Sequence, residues 1–176
     1  MPATRSAFVN VLAWMSLALG VCGVLMGVLQ AVLFATVWPA EWWTQAMAAD
    51  ALVPPAMQWL MDHMVAISLA SAVGSTVLGV VGWGLHVRRE WARVGFIVLL
   101  VLGCLLPFAS ALFIDLTMDW MAEQVQADIG QVDPFFNQFH IAMQVMNYGF
   151  GAFIAAVHGW LAWKLCTPAI RAEFGR

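Results

Sequence analysis

From Ser6 to Ala40 the chain reads SAFVNVLAWMSLALGVCGVLMGVLQAVLFATVWPA, a run without one Asp, Glu, Lys or Arg. A bilayer core about 30 Å thick needs roughly 20 apolar residues of α-helix, so this run can cross it. Three further stretches meet the same test: His63 to Val87, Val94 to Ile114 and Pro134 to Trp163. Backbone polar groups find no partner in hydrocarbon, and the strands of an outer-membrane barrel would be shorter and alternate in polarity. The fold is therefore expected to be all-α, an integral membrane four-helix transmembrane bundle forming one domain over residues 1–176. Helices are expected at about 7–37, 56–87, 91–115 and 134–165, outer loops at about 38–55 and 116–133, and a cytoplasmic turn at 88–93.

Composition agrees with this reading. The 176 residues are 63% hydrophobic and 10% charged, with a mean hydropathy of +0.85; soluble domains average roughly 45–50% apolar and 25% charged. Charge is also sorted by position. The seven basic residues are Arg5, Arg88, Arg89, Arg93, Lys164, Arg171 and Arg176, all before the first span, between the second and third, or at the end of the fourth. The two other loops hold eight acids and no base: Glu41, Asp50, Asp62, Asp115, Asp119, Glu123, Asp128 and Asp133. With Glu90 and Glu173 on the basic side, the two sides stand at +5 and −8, which together make the chain's −3. Lys and Arg accumulate on the cytoplasmic side of spanning helices, so both termini are expected in the cytoplasm of a bacterium, with the chain in its inner membrane.

Local signals refine the picture. Trp38 and Pro39 suit the end of the first span, and Glu41, Trp42 and Trp43 suggest a segment lying on the outer leaflet. The spacing of Asp115, Asp119 and Glu123 suggests that the third helix continues beyond the membrane. Asp133 is placed to cap a helix starting at Pro134, and Thr167 and Pro168 to start a short surface helix. The triplet Ala46, Met47, Ala48 follows an uncharged run too long for a signal peptide, so the first helix is expected to be retained. Val21 before Cys22 argues against lipidation, and Cys22, Cys104 and Cys166 imply no disulfide framework.

Some pieces resemble a known group. The stretch from Phe8 to Gln30 with Ala13 and Trp14, the turn Arg89, Glu90, Trp91, Ala92, Arg93, and the ending Ile170, Arg171, Ala172, Glu173, Phe174 resemble uncharacterised small four-helix bacterial inner-membrane proteins. The resemblance implies an inner-membrane address and brings no activity, cofactor or site residue.

Candidate positions fall into three sets. Small residues let helix backbones approach closely in lipid, and packing seams are expected at Gly23 and Gly27, at Ser71, Ser75 and Gly79, and at Gly151, Ala155 and Gly159. On the fourth helix His140, Gln144, Asn147, Gly151 and His158 share one face, since the eighteen residues between the histidines make five turns. Such a polar stripe faces a bundle interior, where a ligand, proton path or cofactor would sit. Either histidine could ligate haem, although His63 and His86 on the second helix are rotated too far apart to supply partners for two sites. At the outer face Asp62, His63, Asp115 and His140 lie at helix ends and could meet as a mixed carboxylate and imidazole metal site.

No GxSxG, HExxH, Walker or CxxC pattern is present, so nothing points to an enzyme, and the scattered basic residues make no nucleic-acid surface. No particular cofactor is named by the sequence. The first expectation is a structural or accessory component whose partners are the lipid bilayer, other membrane proteins or a second copy. A haem- or metal-binding redox protein and a small transporter or proton pathway are the alternatives.

Overall fold

The structure is a computed structural model and describes residues 6–38, 54–129 and 134–174. Among these residues there are six helices and no strand: α1 Ala7–Thr36, α2 Pro55–Asp62, α3 Met64–His86, α4 Glu90–Ile129, α5 Pro134–Cys166 and α6 Pro168–Phe174. Four of them, α1, α3, α4 and α5, are long and apolar enough to cross a membrane. The segment around Trp42 and Trp43, the Ala46 to Ala48 triplet and the Asp133 cap lie outside the described residues.

Two boundaries differ from expectation. The second helix breaks at His63 into α2 and α3. There the Trp59 carbonyl accepts from the His63 backbone N–H at 3.2 Å and from its ring Nδ1 at 2.8 Å, while the imidazole stacks on Trp59 at 4.6 Å. His63 itself leaves the helical conformation, with φ −108° and ψ 10°. The third helix runs unbroken to Ile129, taking in most of the loop expected at 116–133. Pro107 lies within it and has no N–H to give the Gly103 carbonyl one turn earlier.

The helices associate as two antiparallel hairpins. α1 lies along α3 through small residues: a Cβ on Gly20 would stand 2.7 Å from the Gly79 Cα, one on Gly27 2.9 Å from the Ala72 Cβ, and one on Gly82 2.9 Å from the Ser16 Cβ. Lipid tails are as apolar as leucine, so close backbone packing replaces the hydrophobic effect as the adhesive here. α4 lies along α5 in a second seam, where Gly151 receives the Phe108 ring and the Cys104 thiol lies 3.9 Å from the Ala155 carbonyl oxygen. Gly23 and Ser75 meet within the first seam, whereas Ser71 is exposed and Gly159 has no neighbour within 4 Å of its Cβ direction.

The hairpins join at the basic end. Val9, Leu12 and Ala13 of α1, Val81 and Leu85 of α3, Ala92, Phe96 and Leu100 of α4, Leu165 of α5 and Ile170 and Phe174 of α6 form one buried cluster. Arg88, in the turn before α4, takes a left-handed φ of 59°. Its guanidinium lies 3.2 Å from the Glu173 carboxylate and donates to Asn10 Oδ1 at 2.8 Å, while Glu173 also accepts from the Ser6 N–H at 3.2 Å. The buried Arg93 pairs with Glu90 and donates to the Leu165 carbonyl at 3.4 Å.

Candidate functional site

Above that cluster the hairpins part, and between them lies a cleft of about 570 Å³. All four long helices line it: α1 with Leu12, Met15, Ser16 and Leu19, α3 with Ser71, Gly74, Ser75 and Leu78, α4 from Phe96 to Leu106, and α5 with His158 and Leu161. Among the described residues His158 is its one titratable lining residue. The imidazole is half-buried, with Nδ1 2.8 Å from the Ile154 carbonyl and Nε2 toward Gly103, where a Cβ would stand 3.2 Å away. The Ser16 hydroxyl donates to the Leu12 carbonyl at 2.7 Å and is occupied within its own helix. A second hollow, about 480 Å³, lies along α1 and α3 beside Gly20 and Gly79 and has no titratable lining.

The polar face of α5 turns toward α4. Near the acidic end His140 Nε2 lies 3.5 Å from Asp115 Oδ1 and Nδ1 lies 3.8 Å from Asp119 Oδ1. Asp115 is nearly covered and also accepts from the Tyr148 hydroxyl at 2.7 Å. Gln144 and Asn147 are half-buried on the same face, and the Asn147 amide nitrogen is buried without a hydrogen-bond partner. His140 and His158 thus share a helix face and occupy separate surroundings, one among carboxylates and one in an apolar cleft.

The other two histidines stand elsewhere. His86 packs against Trp14 and Trp83, with ring centroids 5.3 and 5.9 Å away. His63 is held on Trp59 in the break between α2 and α3. Asp115 and His140 do meet, but among the described residues no group of three or more His, Cys, Asp or Glu side chains is placed to hold a metal ion. Asp62 and His63 are not gathered with Asp115 and His140 into such a group. Among the described residues the cleft likewise offers one imidazole and no Lys or Arg, a poor match to a haem with paired axial histidines and two carboxylates to neutralise.

Sequence reasoning passed over Tyr148 and the cleft. Tyr148 is the chain's single tyrosine and lies within an apolar stretch, where a phenolic hydroxyl needs a partner. That need was a usable signal. The cleft had no such signal, since it arises from the divergence of two hairpins and its lining is mostly leucine.

Fold and surface together define a multi-pass helical membrane protein: the outward faces of its long helices are apolar, with Leu25 65% and Val145 70% exposed. No family model, curated protein or solved structure matches the chain.

Proposed function

We propose that the protein is an accessory component of a bacterial inner membrane, with both termini in the cytoplasm, and that it works by binding another membrane-embedded molecule in the cleft between its hairpins. The observation that carries this reading is the cleft itself: about 570 Å³ is left between the two hairpins, bounded by all four spanning helices. Small-molecule sites occupy roughly 300–1,000 Å³, are mostly apolar and carry a few polar groups that fix orientation. The positions of the basic and acidic residues support the orientation.

Photo-crosslinking in native membranes tests the reading. A crosslinking amino acid at Leu102, in the cleft, is expected to capture a discrete small molecule that the same group at Val145, on the outer surface, does not. Identical captures of bulk phospholipid at both positions would remove the cleft as a site. An absorption spectrum of protein from haem-supplemented cells is expected to show no bis-histidine haem band; such a band at stoichiometric strength would replace this reading by the redox one.

A further inference from the structure

We propose that the occupant of the cleft is a lipid-soluble molecule of the quinol class, a hydroxylated ring with an apolar tail, whose O–H donates to Nε2 of His158. The proposal rests on the reading of the cleft as a binding site.

Tautomer and geometry carry it. Nδ1 of His158 lies 2.8 Å from the Ile154 carbonyl oxygen. A carbonyl only accepts, so in the neutral ring the proton sits on Nδ1 and Nε2 keeps a lone pair. Among the described residues no donor is bonded to Nε2. An acceptor without a partner in an apolar setting is costly, so the site selects for a donor. Gly103 packs against the imidazole and leaves it room, since a Cβ there would come 3.2 Å from Nε2.

The remaining lining selects the body of the ligand. Leu12, Met15, Leu99 and Leu106 ask for hydrocarbon, and among the described residues no charged side chain lines the cleft to meet a phosphate or carboxylate headgroup. Ser71, exposed on the α3 wall and without a hydrogen-bond partner among the described residues, offers a hydroxyl to a second ring oxygen. A quinone has only acceptor oxygens and does not satisfy Nε2. Its quinol does.

The experiment uses the full chain in mild detergent under anaerobic conditions, with 15N-labelled histidine. The probes are a decyl-substituted benzoquinol, its dimethyl ether and the corresponding quinone. The quinol is expected to shift the Nε2 resonance of His158, recognised by its loss in His158→Leu, and to bind about tenfold more tightly than the other two, as one ordinary hydrogen bond supplies. His158→Leu should abolish that preference while leaving affinity for the ether unchanged, and Gly103→Val should weaken the quinol selectively. Equal affinity for all three probes would overturn hydroxyl recognition and leave the cleft a general apolar site. Failure of every probe to bind, with Nε2 unmoved, would overturn the cleft reading as well.

Discussion

Arg88 shows how much one residue can be asked to do. A left-handed backbone costs a non-glycine residue about 1–2 kcal/mol. Glycine would avoid that cost and lose the guanidinium's links to Glu173 and Asn10. Both charges are nearly covered, with side chains 10% and 11% exposed, so removing one strands the other. Arg88→Ala is expected to destabilise the protein by about 1.5–3 kcal/mol, the range for hydrogen bonds to charged groups. In thermal unfolding in detergent, Arg88→Ala combined with Glu173→Gln should cost less than the two singly, because the same contact is lost in each. Additive losses would mean that the pair is not coupled. The opposite sort of residue is His63, whose effect no spacing rule forecasts: its backbone, at φ −108° and ψ 10°, divides a helix that apolar run length alone joins.

Between elements, the seams differ in how closely backbones approach. A side chain on Gly20 meets the Gly79 backbone, which cannot rotate away, whereas one on Gly149 or Gly159 meets nothing within 4 Å. Gly20→Leu is therefore expected to cost about 3 kcal/mol, at the upper end for overpacking, and to separate α1 from α3. Gly159→Leu should be close to neutral. Cysteine crosslinking between the helices in membranes would report both results, and an undisturbed α1–α3 crosslink in Gly20→Leu would refute the close approach. α4 raises a second expectation. Its 40 residues make about 60 Å of helix, roughly twice the hydrocarbon thickness. In the orientation proposed above, cysteine at Glu123 should react with an impermeant maleimide added from the periplasmic side, and cysteine at Val98 should not.

For the molecule as a whole, the spans were legible because charge-free runs of sufficient length have one solution in lipid. The acids at Asp115, Asp119 and Glu123 hinted that α4 continues, through their helical spacing. Pairing was harder to read. Asp115 and His140 stood out as ionisable residues near helix ends, but which partner each meets depends on the register between α4 and α5, which is set by contacts such as Phe108 on Gly151. His158 was legible as a face and not as a cleft residue, because space between hairpins leaves no periodic trace. The link between Ser6 and Glu173 has a bearing on biosynthesis: it joins positions 167 apart, so on a ribosome it must wait until all the spanning helices have been made. α1 and α3 can pair while α5 is still unmade, but the basic end cannot close until α6 emerges. Closure there is a late checkpoint of membrane assembly, and a nascent chain halted before Glu173 would hold two hairpins without their clasp.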